Sequence, residues 1–173
     1  MIKKVIFAIY KKPQTLFFMK RLLLILFVVS AFLPTTSKAD NDTSMRPIMR
    51  KTDEIITYLE DEYNYEIVRI EFDILTTRKT STTSTRTLSR GYEYIICAYG
   101  DDRFKDIDLN VYIKRGNQWV LVDKDEDTSS AALVTVTPTE RSEYKFEISA
   151  YSFEEGYSGG HYGLIICHNK TAN

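Results

Sequence analysis

The sequence predicts an all-β protein: an antiparallel β-sandwich or jelly roll of about eight strands, preceded by one α-helix. Short runs between residues 66 and 167 alternate apolar and polar side chains, with the period of two that a half-buried strand requires. Turn residues separate these runs at regular spacing. Only the stretch 47–62 has a helical period. A length of 173 residues fits one such domain with an extension.

The first 39 residues have the composition of a secretory signal. They contain no acidic side chain, and a basic Met19-Lys20-Arg21 segment precedes the apolar run Leu22–Leu33. Small residues then stand at Ser37 and Ala39, the two positions that a signal peptidase reads. We therefore expect cleavage after Ala39, with Met19 as an alternative start, and a periplasmic or extracellular location. The apolar run is too short for a comfortable membrane span, so none is expected in the mature chain.

The predicted mature chain is acidic. After residue 39 the sequence has 16 Lys and Arg against 24 Asp and Glu, a net charge of −8. A surface of that sign repels nucleic acid and anionic membranes, so neither is an expected partner.

Residues 47–62 predict an amphipathic helix. Pro47 suits its first turn, where a missing N–H costs nothing. The apolar side chains fall on one side: Ile48, Ile55, Ile56, Leu59 and Tyr63. Such a stripe indicates a helix packed over one face or edge of the sheet; the alternative is a helix that binds a partner.

The first two predicted strands differ in character. Residues 66–75 alternate Val68, Ile70, Phe72 and Ile74 with charged residues, which predicts a half-buried strand. Residues 76–90 contain ten Ser or Thr, four basic residues and no acidic one. They predict a hairpin tip and an edge strand whose charges discourage edge pairing, with a polyanion-binding stripe as the alternative.

Two stretches are apolar on both faces, namely 92–99 and 164–167. Strands of that kind are covered on both sides, so we place them as neighbours in the middle of a sheet with the helix over its outer face. Each contains a cysteine at the end of the same apolar run, Cys97 and Cys167. Export would favour a disulfide between them, since two cysteines allow one pairing.

Four further strands are predicted at 107–113, 119–122, 132–137 and 144–150. The residues Arg115-Gly116-Asn117 supply a turn between the first two.

Residues 90–167 resemble the bacterial pre-peptidase C-terminal domain. The resemblance rests on the strand 106–112, the acidic loop 123–127, the strand end 134–138 and the strand 144–151 before a Gly-rich turn. It implies a compact β-sandwich of the kind appended to exported enzymes, and some relatives take calcium.

Two acidic clusters flank the central strands and are candidate calcium ligands, because calcium prefers six to eight oxygen ligands on loops. Their spacing is not that of an EF-hand. The alternative is solvated acidic turns. The candidate ligands are Asp101, Asp102, Asp106, Asp108, Asp123, Asp125 and Asp127.

Aromatic side chains offer a second candidate site. Tyr112, Trp119, Tyr151 and Tyr157 are residues that line sugar or peptide grooves, although tyrosine on sandwich strands is also ordinary packing.

The sequence favours a non-catalytic binding or accessory module, for a glycan or an extracellular protein. A G-x-S-x-G match around Ser158, next to His161, suggests a serine hydrolase instead. A nucleophile elbow requires a helix after the serine, whereas a strand is predicted there. Neither His161 nor His168 belongs to a metal-binding spacing. A structural surface protein is the remaining alternative.

Overall fold

The structure is a computed structural model that describes residues 44–170. Within that range one helix and eight strands form two four-stranded antiparallel sheets, which confirms the predicted fold class. The elements are α1 (Arg46–Thr57) with a following π-helical turn (Tyr58–Glu62), β1 (Glu66–Thr76), β2 (Ser81–Leu88), β3 (Tyr92–Gly100), β4 (Phe104–Arg115), β5 (Gln118–Asp125), β6 (Ala131–Val136), β7 (Ser142–Phe153) and β8 (Gly159–Lys170). Sheet A has the order β1-β8-β3-β6, and sheet B has the order β2-β7-β4-β5.

The two sheets enclose one apolar core. Alternate residues of each strand enter it: Leu109 and Val111 of β4 are fully buried, while Asn110 between them is partly exposed. From the other sheet, Ile96 of β3 and Leu164 of β8 reach the same core. The period of two in the sequence therefore reports which side of each strand faces inward.

Helix α1 covers the outer face of sheet A. The residues of that face are fully buried without belonging to the core between the sheets: Ile95, Cys97, Tyr99, Ile165 and Cys167. Ile48, Ile55 and Leu59 close over them at 0–2% exposure, and Thr52 Oγ1 lies 2.8 Å from the Tyr99 hydroxyl. The predicted helix over the outer face of a two-sided apolar sheet is thus observed, at 46–62 including the π-helical turn.

In the middle of strand β1, charged side chains face the core side of the sheet, whereas the alternation predicted that the apolar ones would. A bulge near its start shifts the register, so that Arg69 lies opposite Ile166 of the core. Ile70 and Ile74 consequently point outward and are 38% and 45% exposed. The inward charge is satisfied, since Arg69 donates to the Thr85 carbonyl at 2.8 Å. The alternation predicted a strand correctly but could not reveal a bulge, which inverts the faces.

The predicted disulfide is not formed. Strands β3 and β8 are neighbours, as expected, but the register pairs Cys97 with Ile165 and Cys167 with Ile95. The cysteines are therefore diagonal neighbours, for which separations of about 7–8 Å are typical and at the limit of what a disulfide spans. Both are buried free thiols, and burial raises the pKa of each to about 12. The prediction of a Cys97–Cys167 bond was wrong because matching apolar runs do not fix the register.

Strand β2 is an edge strand of sheet B, as the Ser/Thr-rich segment predicted. Thr83, Thr85 and Thr87 are exposed, whereas Leu88 is buried in the core. The predicted signal sequence, residues 1–39, lies outside the described residues. Within the described range no helix is long and apolar enough to cross a membrane.

Candidate functional site

The outer face of sheet B has both aromatic and polar character, and within residues 44–170 no helix covers it. The one helix within residues 44–170 lies on sheet A, so the side of sheet B turned away from the core has no helix over it. Its central members, placed by the strand registers, are Thr83, Thr85, Thr87, Asn110, Tyr112, Lys114, Trp119, Leu121, Glu143, Lys145 and Glu147. We call this set the B face.

One row of the B face crosses all four strands. Leu121 of β5 lies opposite Tyr112 of β4, Tyr112 lies opposite Lys145 of β7, and Lys145 lies opposite Thr85 of β2. Side chains directly opposite on antiparallel strands have Cβ atoms about 5 Å apart. From β5 to β2, the row therefore carries an aliphatic, an aromatic, a cationic and a hydroxyl side chain, each next to the one before it.

Two aromatic rings of the B face lie close to lysines: Tyr112 on the inner strand β4 and Trp119 on the edge strand β5. Lys145 Nζ lies 4.1 Å from the centre of the Tyr112 ring and 5.6 Å from that of Trp119. Lys114 Nζ lies 5.5 Å from the Trp119 ring. Cation–π attraction at such distances orients the rings and the ammonium groups relative to each other.

Glutamates complete this arrangement. Lys114 pairs with Glu143 at 2.6 Å, and Lys145 lies 3.8 Å from Glu147. Burial raises the pKa of the Tyr112 hydroxyl, and the charge and hydrogen bond of Glu147 raise it further. Donors and acceptors thus surround the two rings on a face that solvent can reach.

The other two predicted ligand aromatics lie elsewhere. Tyr151 is 77% exposed near the far end of β7, where the pairing with β4 is irregular. Tyr157 lies in the loop between β7 and β8 and is 38% exposed. The structure therefore joins Tyr112 with Trp119 and separates Tyr151 and Tyr157 from that pair.

The predicted ligands Asp101, Asp102, Asp106 and Asp108 do not converge on one site in the structure. Asp101 is 1% exposed and paired with the Arg103 guanidinium, and its carboxylate also accepts the His161 backbone N–H at 2.9 Å. Burial acts to raise the pKa of Asp101, but the hydrogen bonds from Arg103 and His161 outweigh it and hold the pKa below its ordinary value. Arg103 Nη2 also lies 2.6 Å from His161 Nδ1. This group ties the β3–β4 turn to the start of β8, a structural role.

The second group is a set of carboxylates near β4, β5 and β6. Asp106 accepts the Ser129 N–H at 3.2 Å, and Asp125 accepts the Leu133 N–H at 2.9 Å. Burial raises the pKa of Asp108, and the charges of Asp106, Glu126 and Asp125 add to it.

The calcium prediction has no support from this geometry. Within residues 44–170 no group of three or more acidic, histidine or cysteine side chains is arranged to hold a metal ion. Asp102 and Asp123 are exposed. Asp127 donates its backbone N–H to Asp125 at 3.2 Å. Calcium binding stays a prediction.

Ser158 does not stand in a nucleophile elbow. It lies in the loop between the antiparallel strands β7 and β8, and its carbonyl accepts the Thr77 N–H at 2.9 Å. His161 faces Arg103, and His168 stacks on Tyr92 with ring centres 4.3 Å apart. The strand-to-helix turn that exposes a catalytic serine is not the arrangement at this position.

Sequence reasoning missed the lysines, glutamates and threonines of the B face. The signal was present: Thr83, Thr85 and Thr87 alternate, and so do Lys145 and Glu147. Each strand alone reads as a solvated edge or an outward face. Only the sheet order, with β7 between β2 and β4, brings these residues beside Tyr112 and Trp119.

Comparisons with known proteins find only distant structural similarities. No family model and no curated protein matches the chain. Among solved structures, a periplasmic inhibitor of g-type lysozyme from Aeromonas hydrophila is 8% identical, with a TM-score of 0.41 over 58% of this chain and 85% of that one. A Yersinia pseudotuberculosis-derived mitogen is 13% identical, with a TM-score of 0.39 over 63% and 91%. A structure described as a CBM4 is 12% identical, with a TM-score of 0.34 over 64% and 83%.

Proposed function

We propose that this protein is an exported, non-catalytic binding module that holds a glycan chain on the B face. The observation that carries the proposal is the pair Tyr112 and Trp119, diagonal neighbours on a sheet face over which residues 44–170 place no helix, both within reach of Lys145 and surrounded by hydrogen-bonding groups. Aromatic rings stack on the apolar faces of sugar rings, while their polar neighbours bind the hydroxyl groups.

The polar groups match a polyhydroxylated ligand. Lys114 and Glu143 lie beside Trp119, and Lys145 lies in the row of Tyr112. Glu147 adds an acceptor from the neighbouring row of Asn110. The exposed threonines of β2 extend the hydrogen-bonding surface to the far edge of the sheet. A face that runs across four strands suits an extended chain better than a small molecule, which prefers a concave pocket.

Affinity electrophoresis in gels that contain soluble polysaccharides tests this function. We expect the protein to be retarded by at least one glycan, and Trp119→Ala to migrate as in a glycan-free gel. The loss follows because a few residues of a binding surface, tryptophan foremost among them, carry most of the affinity.

Tyr157→Ala is the matched control, because it removes an exposed aromatic that lies outside the B face. Its retardation should equal that of the unchanged protein. Equal retardation of Trp119→Ala and the unchanged protein would contradict the proposal. If no glycan retards the protein, an extracellular protein partner or a purely structural role becomes the better account.

Export is part of the same proposal. It is supported by the basic segment at Lys20-Arg21, the apolar run Leu22–Leu33 and the Ser37-x-Ala39 site. We expect the N-terminal sequence of the exported protein to begin at Asp40, and any other start would contradict the predicted cleavage site.

A further inference from the structure

Within residues 44–170, strand β5 has no strand paired with its outer edge. It is the last strand of sheet B, and three consecutive aliphatic residues on it, Val120, Leu121 and Val122, are 44–48% exposed. An exposed edge with apolar side chains is a template for pairing with another strand, and proteins usually blunt such edges with charge. The segment 116–122 contains no charged residue.

The backbone of this edge is available at two positions. Arg115 and Gln118 close a two-residue turn, in which Gly116 has a φ of +59°. Tight hairpin turns need a positive φ at this position, which favours glycine there. Hydrogen-bonded and non-bonded pairs alternate along antiparallel strands from such a closing pair. The peptide groups of Trp119 and Leu121 therefore point away from β4, toward the free edge of the sheet.

Trp119 and Leu121 can pair with each other between two copies of β5. An antiparallel copy of β5 centred on Val120 places Trp119 opposite Leu121 of the second copy, and Leu121 opposite Trp119. Both outward-pointing peptide groups are then paired, and the indole packs on the leucine side chain twice by symmetry. The bulge at Val122, the extra residue between Leu121 and Asp123, limits regular pairing to this short segment.

The charges at the two ends of β5 favour the same arrangement. Lys114 and Arg115 lie at the turn end, in ion pairs with Glu143 and Glu140. At the other end Lys124 pairs with Glu126, and Asp123 and Asp125 leave that end with a net negative charge. Antiparallel pairing brings the basic end of one copy beside the acidic end of the other. A parallel arrangement would instead place like charges together, which costs free energy.

We propose that two copies of this chain associate through β5, antiparallel about Val120, so that their B sheets become one eight-stranded sheet. Closed two-fold pairing uses the same patch on both copies, and it removes the exposed edge. The two Trp119 side chains then lie near the two-fold axis, and the B faces of both copies become continuous. The proposal goes beyond the glycan-binding function, because association is measured without any glycan.

Cysteine crosslinking at Val120 tests the register. Val120 faces itself across the proposed axis as a non-hydrogen-bonded pair, whose Cα separation of about 4.5 Å lies within the range of a disulfide. We expect Val120→Cys to form a covalent dimer under mild oxidation. Val122→Cys is the matched control: it is equally exposed, but it faces Gln118 of the second copy and should remain largely monomeric. The native thiols are buried in both variants.

Sedimentation velocity across a range of concentrations tests the association itself. We expect a concentration-dependent dimer, abolished by Leu121→Pro and only weakened by Leu121→Ala. Proline removes the outward N–H at an edge position that tolerates it. A protein that stays monomeric at every concentration would overturn the proposal and leave this edge to a different partner. Equal crosslinking of Val120→Cys and Val122→Cys would also overturn it, and that comparison holds even if Leu121→Pro fails to fold.

Discussion

The outer faces of the two sheets differ in composition and in burial: one is apolar and covered, and the other is polar and exposed. On sheet A, Ile95 and Tyr99 are apolar and fully buried, and α1 lies over them. On sheet B, Lys145 and Glu147 point away from the core, and within residues 44–170 no helix lies over them. A sheet face that is apolar must be covered to remove it from water, whereas a polar and aromatic face is stable in water and free to bind.

From this contrast we expect the covered face of sheet A to contribute to stability and the B face to contribute to binding. The helix and the outer face of sheet A form a second small core that adds to the one between the sheets. The B face adds little to folding, because its side chains remain partly in solvent. Mutations on the two sides should therefore separate stability from binding.

The largest expected difference concerns ion pairs. Removal of Arg103 by Arg103→Ala leaves Asp101 buried without its cation, so we expect a loss of about 3–5 kcal/mol in the free energy of unfolding. The control on the B face is Lys114→Ala, which removes the partner of Glu143 from a half-exposed pair and should cost about 0–1 kcal/mol. Urea unfolding measures both. Equal losses would show that burial does not separate these two sites.

The helix that covers sheet A provides the second comparison. Leu59→Ala opens a cavity beneath the cover and should lower the free energy of unfolding by about 2–5 kcal/mol. Leu121→Ala, the same substitution at a 48% exposed position of the B face, should stay within about 0.5 kcal/mol. A small effect at Leu59 would mean that the π-helical turn after α1 is not a stabilising part of the cover over sheet A. The Leu121 variant is best measured at low concentration, where self-association does not contribute.

Asp108 gives a smaller effect with a defined pH dependence. Its folded-state pKa is raised by burial and by Asp106, so the charged form destabilises the native state. This penalty is absent below the ordinary pKa of about 3.9 and grows as pH rises through the folded-state value. Asp108→Asn should therefore raise the melting temperature at neutral pH but not at acidic pH. A lower melting temperature at neutral pH would contradict this.

The same variant bears on calcium. If calcium bound here, it would neutralise these carboxylates and stabilise the native state by linkage. The melting temperature of the unchanged protein would then rise in millimolar calcium, and that rise would be lost in Asp108→Asn. An unchanged melting temperature would exclude calcium stabilisation at this group.

The fold was predictable because its determinants are local. Alternation in 107–113 and 144–150 predicted strands, and apolar residues on both faces of 92–99 predicted a covered central strand. What failed depended on register: a bulge in β1 reversed its faces, and a two-residue offset separated Cys97 from Cys167. Register is set by contacts between strands, which no single run of residues contains.

The candidate site was predictable only in part, for the same reason. Trp119 and Tyr112 lie across the turn at Arg115-Gly116-Asn117, so a local hairpin brings them together. Lys145 comes from a strand more than 20 positions away in sequence, and only the sheet order places it over Tyr112. Asp101 appeared to be a free loop carboxylate, because its partner His161 belongs to a distant strand.

The chain contains a single tryptophan, and it lies on the B face, on the edge strand β5. Its fluorescence therefore reports on the proposed site without any label. Titration with the soluble polysaccharides used for electrophoresis should shift the Trp119 emission in a saturable way, and only for glycans that retard the protein. Tyr157→Ala should give the same curve. Retardation by a glycan with no change in Trp119 emission would place binding away from the B face and contradict the account.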